Sequence, residues 1–164
     1  MSGKIAAVVT IMLGSMVAAR AADPPVPLLK EGLWESHTQS VIGKEKFVSV
    51  MKLCRTHAFD KSVRDTSKAA GENLRKRDLC GEAVISPTAG GYTSVTRCEK
   101  DKSVTTQTMT FQADTAYRLE QHRKIGGDDT VTIIEDHYVG SCPADMKPGD
   151  MLTPDGKKMN FGAM

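Results

Sequence analysis

The chain has 164 residues, 40% of them hydrophobic, and its 22 Lys and Arg against 20 Asp and Glu leave a formal charge of +2. That near-balance excludes a global electrostatic pull towards nucleic acid or an anionic membrane, and an aromatic content of 5% is too low for a base-stacking platform. The length suits one domain.

Met1 to Ala21 reads as a secretory signal peptide. Lys4 supplies the positive start, Ile5 to Val17 the apolar run, and Ala19-Arg20-Ala21 the small residues for cleavage after Ala21. The apolar run is too short to span a bilayer and no later run approaches that length, so the mature chain is expected to be exported, periplasmic or secreted, without a membrane span. Removal of Lys4 and Arg20 leaves 20 positive and 20 negative side chains. In an oxidising compartment the four cysteines, Cys54, Cys80, Cys98 and Cys142, read as a disulfide framework. No pair has the CxxC spacing of a redox site or a zinc ribbon.

Residues 22–30, with Pro24, Pro25 and Pro27, form an extended leader. A single β-rich domain is expected over 31–143. Its first strand runs from Lys30 to Val41, with Gly43-Lys44 as the turn, and its second from Phe47 to Leu53, ending at Cys54. Between Thr56 and Arg77, Phe59, Val63, Ala70 and Leu74 recur at helical spacing, with Thr56 as the cap. This helix is expected to cover the sheet.

Strands resume at Cys80–Pro87 and Tyr92–Glu99. If Thr88-Ala89-Gly90 is a three-residue loop with Gly90 in the left-handed position, Pro87 lies opposite Gly91, Ile85 opposite Thr93 and Cys80 opposite Cys98. Directly opposed cysteines are close enough to bond. Cys54–Cys142 follows by elimination and ties an early strand to the last one. In Ser103 to Gln112, Gln107, Met109 and Phe111 share one face and Thr106, Thr108 and Thr110 the other, so one side of the sheet is expected to be wet. Tyr117 to Ile125 and Thr130 to Val139 complete an antiparallel meander, joined by a turn at Gly126-Gly127-Asp128-Asp129. Residues 144–164 hold Pro148, Gly149, Pro154, Gly156 and Gly162 without periodicity and are expected to be an irregular tail. The fold class is therefore mainly β: a curved sheet or partial barrel with one α-helix inserted after the second strand and two disulfides.

Gly32-Leu33-Trp34-Glu35 soon after the leader, a cysteine closing the second strand, a middle cysteine pair and a terminal Gly140-Ser141-Cys142-Pro143 together resemble the secreted bacterial family of unknown function DUF3617. The resemblance runs from about Lys30 to Pro143. Cys54 is followed by Arg55-Thr56-His57 where members often carry Thr-Pro, and the turn between the first two strands is shorter than theirs. The resemblance implies an exported β-domain and transfers no catalytic residue.

No catalytic motif is found. There is no Gly-x-Ser-x-Gly elbow, and oxidised cysteines offer no thiolate. His37, His57, His122 and His137 lack ligand spacing. A four-residue loop at 126–129 sets His122 opposite Ile133 and away from His137, so each reads as an exposed histidine. No cofactor is indicated. Met146, Met151 and Met159, with Met164, offer soft thioethers that suit Cu(I), although they serve equally as loose packing. Trp34, Phe47, Met51, Met109, Phe111, Tyr117 and Leu119 can line an apolar pocket or form the core between sheet and helix; Trp34 is the expected anchor. The expected function is a non-enzymatic binding or interaction module with an unknown protein partner. The alternatives are a carrier of a small apolar ligand or lipid, and Cu(I) binding by the tail.

Overall fold

The computed structural model describes residues 26–77, 79–125 and 128–160. The expected signal peptide and cleavage site, Pro24, Pro25, Gly126-Gly127 and Met164 lie outside the described residues. Nine strands form one antiparallel sheet: β1 Gly32–Ile42, β2 Glu45–Arg55, β3 Val84–Thr88, β4 Gly91–Cys98, β5 Ser103–Gln112, β6 Ala116–Ile125, β7 Asp128–Gly140, β8 Asp150–Leu152 and β9 Lys158–Asn160. The helix α1 spans His57–Lys76, between β2 and β3. The sheet order is β3-β4-β5-β6-β7-β1-β2-β8-β9, so the meander β3 to β7 receives the N-terminal hairpin on β7 and the C-terminal hairpin on β2. The sheet is open, with β3 and β9 at its two ends. Mainly-β architecture, the inserted helix and both disulfides agree with the sequence reading.

The antiparallel registers divide the sheet into two faces, because directly opposed residues point the same way. One face carries Met51, Leu53, Tyr92, Met109, Phe111, Tyr117, Leu119 and Ile134, and lies beneath α1. The other carries Thr93, Thr106, Thr108, Arg118, Glu120 and Glu135, with Arg118 in ion pairs to Glu135 at 2.6 Å and Glu120 at 3.0 Å. This is the wet face that the threonines foretell.

Both disulfides join as expected, Cys54 to Cys142 and Cys80 to Cys98. Cys54–Cys142 links β2 to the end of β7, the two strands that flank β1. The hairpin register differs from the sequence reading by one residue. Its loop is the two-residue Ala89-Gly90, with Gly90 at φ +79°, and β3 pairs Val84 with Val95 and Pro87 with Tyr92. The cysteines still meet, because Gly81-Glu82-Ala83 opposes only Thr96-Arg97 before the isolated Cys80–Cys98 bridge. That extra residue is a bulge, and Gly81 N–H donating to the Arg97 carbonyl at 2.8 Å holds it. The two-residue loop leaves Gly91 inside β4, where a Cβ would lie 1.8 Å from the Met109 carbonyl oxygen, so glycine is obligatory there.

Two further expectations are corrected. Asp128 and Asp129 belong to β7, which makes the β6–β7 loop two residues long and sets His122 opposite Val131 rather than Ile133. The tail is not irregular throughout. Met146 is buried, and β8 pairs with β2 through Lys52 and Leu53 before turning into β9. Gly149 N–H donates to the Cys54 carbonyl at 2.8 Å, which carries the chain onto the β2 edge.

The chain-entropy contribution of a crosslink grows with the loop it closes, which gives about 3 kcal/mol for Cys80–Cys98 and about 4.6 kcal/mol for Cys54–Cys142. The Cys54→Ser/Cys142→Ser variant is therefore expected to unfold at lower urea concentration than Cys80→Ser/Cys98→Ser, and both below the parent chain. Equal midpoints for the two variants would contradict this order.

Candidate functional site

The site is built where β2 hands over to α1. Thr56 caps the helix, its Oγ1 accepting from the Phe59 N–H at 3.2 Å, and Glu31 accepts from the His57 N–H at 2.8 Å. One residue before the cap, the Arg55 side chain turns onto the face beneath the helix. Its Nε donates to Asp60 at 2.9 Å and its Nη1 to the Tyr117 hydroxyl at 3.2 Å, with Asp136 at 3.6 Å. The guanidinium carbon also lies 4.9 Å from the Trp34 ring centre, a cation–π contact. Tyr117 donates its hydroxyl proton to Asp136 Oδ2.

Burial opposes the charge on Arg55, but Tyr117 and Asp60 outweigh it and hold the guanidinium above its usual pKa. Burial, and then Asp136, push the Tyr117 phenol well above its ordinary range. Asp136 is 7% exposed, and its Oδ1 has no hydrogen-bond partner. Trp34 is 1% exposed, donates Nε1–H to the Lys30 carbonyl at 2.9 Å, and sits 6.1 Å from Tyr117 and 6.2 Å from Tyr138 between ring centres.

Outward from this cluster, α1 and the sheet face enclose an open cleft of about 870 Å³. Leu53, Tyr92, Met109, Phe111, Tyr117 and Met151 line it from the sheet, Phe59 and Val63 from the helix, and residues 26–29 also border it. Gln107 lines both this cleft and a second cavity of about 680 Å³ bordered by Ser94, Thr96, Thr105, Gln121 and Arg123. The apolar stripe of the helix points in the expected direction yet stays uncovered: Val63 is 36% exposed and Leu74 42%. Among the described residues, Leu29, Trp34, Cys54 and Met146 are the only buried hydrophobic side chains. The expected covering helix is therefore present as a roof with a gap below it.

The candidate ligand residues separate accordingly. Met109, Phe111 and Tyr117 come together in the cleft. Trp34 lies behind Tyr117, away from the lining. Phe47 is 52% exposed towards the far end of β2 and does not line the cleft. In the tail, Met151 lines the cleft and stands opposite Met159 across β8 and β9, while Met146 packs in the core. Sequence reasoning missed Arg55, Asp60 and Asp136: Arg55 and Asp60 meet across the β2–α1 junction, but Asp136 reaches them only through the β1–β2 and β1–β7 registers. Arg55 beside a predicted cap was the one local signal. It also set the histidines apart, whereas β1 and β7 bring His37 and His137 into a stack with ring centres 5.6 Å apart on the wet face. Among the described residues no helix is long and apolar enough to cross a membrane.

The family model described as "Protein of unknown function (DUF3617)" matches residues 29–142, and the chain belongs to that family. No curated protein and no solved structure is found to match it. The match ends at Cys142, so β8 and β9 lie beyond the matched region.

The Tyr117 environment has a pH consequence. Below about pH 10, the unfolded-state tyrosine value, the phenol is neutral in both states and its hydrogen bonds stand. Above that value the unfolded chain ionises first, so the raised folded-state pKa becomes a loss of stability as pH climbs. Urea unfolding from pH 8 to pH 11 is expected to show declining stability, and Tyr117→Phe to flatten the decline. A parallel slope in the variant would contradict the assignment.

Proposed function

We propose that this member of the family is an exported, non-enzymatic binding protein whose cleft takes a small apolar or lipid-like ligand. The observation that carries the reading is the open apolar cleft beneath α1, about 870 Å³ and lined by Leu53, Phe59, Val63, Met109, Phe111 and Met151. Its volume falls in the range of small-molecule sites, which join mostly apolar walls to a few fixed polar groups. Arg55, Tyr117 and Asp60 supply those groups at one end. Burying one large apolar side chain contributes about 1.5–3 kcal/mol, so a chain that leaves Phe111, Met109 and Val63 incompletely covered gains by accepting an apolar occupant. Export is supported by the N-terminal apolar run and by two disulfides that leave no free cysteine among the described residues. Met151 and Met159, opposed across β8 and β9, support Cu(I) as a second occupant of the same region.

The test is native mass spectrometry and solvent extraction of protein recovered without detergent from the exported fraction. A lipid-like mass, released by organic solvent, is expected. The stripped protein should take up the fluorescent apolar probe N-phenyl-1-naphthylamine. Phe111→Glu should weaken that uptake by about tenfold or more, whereas Thr108→Glu on the opposite face leaves it unchanged. A bare chain mass together with no probe uptake would end the carrier reading, and a copper adduct lost in Met151→Ala would transfer it to the methionines.

A further inference from the structure

On the face turned away from α1, strand geometry gathers two imidazoles and a carboxylate. Glu35 and His37 are two residues apart on β1 and so share a face, and the β1–β7 register sets His137 directly opposite Glu35. Glu35 Oε1 lies 2.9 Å from His37 Nε2 and 3.7 Å from His137 Nε2. One ligand atom from each of the three residues lies within 4.8 Å of the others. The two rings are stacked, 27° from parallel, which lets both present a nitrogen to the same point. A tetrahedral ion with bonds of about 2.1 Å holds its ligand atoms about 3.4 Å apart, a spacing bracketed by the two distances to Glu35. Lys52 approaches Oε2 of Glu35 at 3.6 Å and leaves Oε1 between the imidazoles.

We propose that Glu35, His37 and His137 form a surface site for a divalent transition-metal ion of the zinc type, with its remaining coordination position open to solvent. Two imidazoles and one carboxylate form the mixed nitrogen and oxygen set that zinc and its neighbours accept, whereas calcium and magnesium take oxygen donors. The side chains are 23%, 43% and 47% exposed for Glu35, His37 and His137, so an ion enters without any movement of the backbone. Among the described residues no other three His, Cys, Asp or Glu side chains come this close. The site stands apart from the cleft, since Glu35, His37 and His137 alternate with the residues that point beneath the helix.

The experiment uses zinc ions and the mature, disulfide-bonded chain in an equilibrium chelator competition. One zinc per chain is expected. His37→Ala and His137→Ala should each weaken binding by about tenfold or more, while His57→Ala and His122→Ala leave it unchanged. Paramagnetic Cu(II) added to the unsubstituted protein should broaden the imidazole resonances of His37 and His137 before those of His57 and His122, which tests the site without any variant. No zinc uptake, uptake that survives the paired substitution His37→Ala/His137→Ala, or uniform broadening of all four histidines would overturn the assignment.

Discussion

The guanidinium of Arg55 is the point at which the architecture is tied together. It is the last residue of β2, and it meets Asp60 in the first turn of α1, Tyr117 on β6, Asp136 on β7 and the Trp34 ring on β1. Two separate stretches of chain, β1-β2-α1 and β6-β7, therefore share one largely buried cation. Loss of a single partner from a buried charged set costs about 3–5 kcal/mol, because the remaining charge is left uncompensated in a poor solvent for it. Here two carboxylates would be stranded. The interaction accordingly fixes where α1 leaves the sheet, and through that it fixes the mouth of the cleft.

Beyond this anchor the helix is held mainly at its ends. Thr56 and Glu31 satisfy its first amides, the Leu79 N–H donates to the Leu74 carbonyl at 3.1 Å, and Arg75 pairs with Glu82 at 3.7 Å. Residues 61–71 are exposed throughout. Most of the stability of a protein helix comes from packing its apolar stripe. In α1 that stripe faces a gap. The sheet below shows the same incompleteness, with Met109, Phe111, Leu119 and Ile134 only half-buried. Two partly covered apolar surfaces facing each other across a cavity are the physical basis for the binding function proposed here. The wet face, by contrast, is crossed by polar pairs: Arg118 holds Glu120 and Glu135, and Thr93 bonds with Thr108 at 3.3 Å.

Much of this was legible in the sequence because strand and helix periods are local properties. The alternation of Gln107, Met109 and Phe111 against Thr106, Thr108 and Thr110 reads directly as two faces. Thr56 reads as a cap, and the Cys80–Cys98 pairing follows from a hairpin. The errors lie where one residue decides a register. The Ala89-Gly90 turn and the bulge at Gly81-Glu82-Ala83 cancel each other at the cysteines, so the correct bond followed from an incorrect pairing of β3 and β4. The Gly-Gly-Asp-Asp signal suggests a β6–β7 turn two residues longer than the register allows, which displaces His122. The Arg55 cluster and the pairing of His37 with His137 depend on β1 docking beside β7, a non-local choice that no spacing announces. The strands β8 and β9 were hidden by Pro and Gly, and they form because the β2 edge offers free backbone groups to a short segment.

Amide hydrogen exchange along α1 in ligand-free protein addresses the open cleft most directly. A helix roofing an empty space opens locally at little cost, so its amides exchange far faster than those of β5, β6 and β7. The account predicts that residues 61–76 lose protection early in stripped protein and regain it when an apolar occupant such as N-phenyl-1-naphthylamine is added. Protection of residues 61–76 equal to that of β5 to β7 in the stripped protein would contradict it, since the helix would then be packed on the sheet with no cleft beneath.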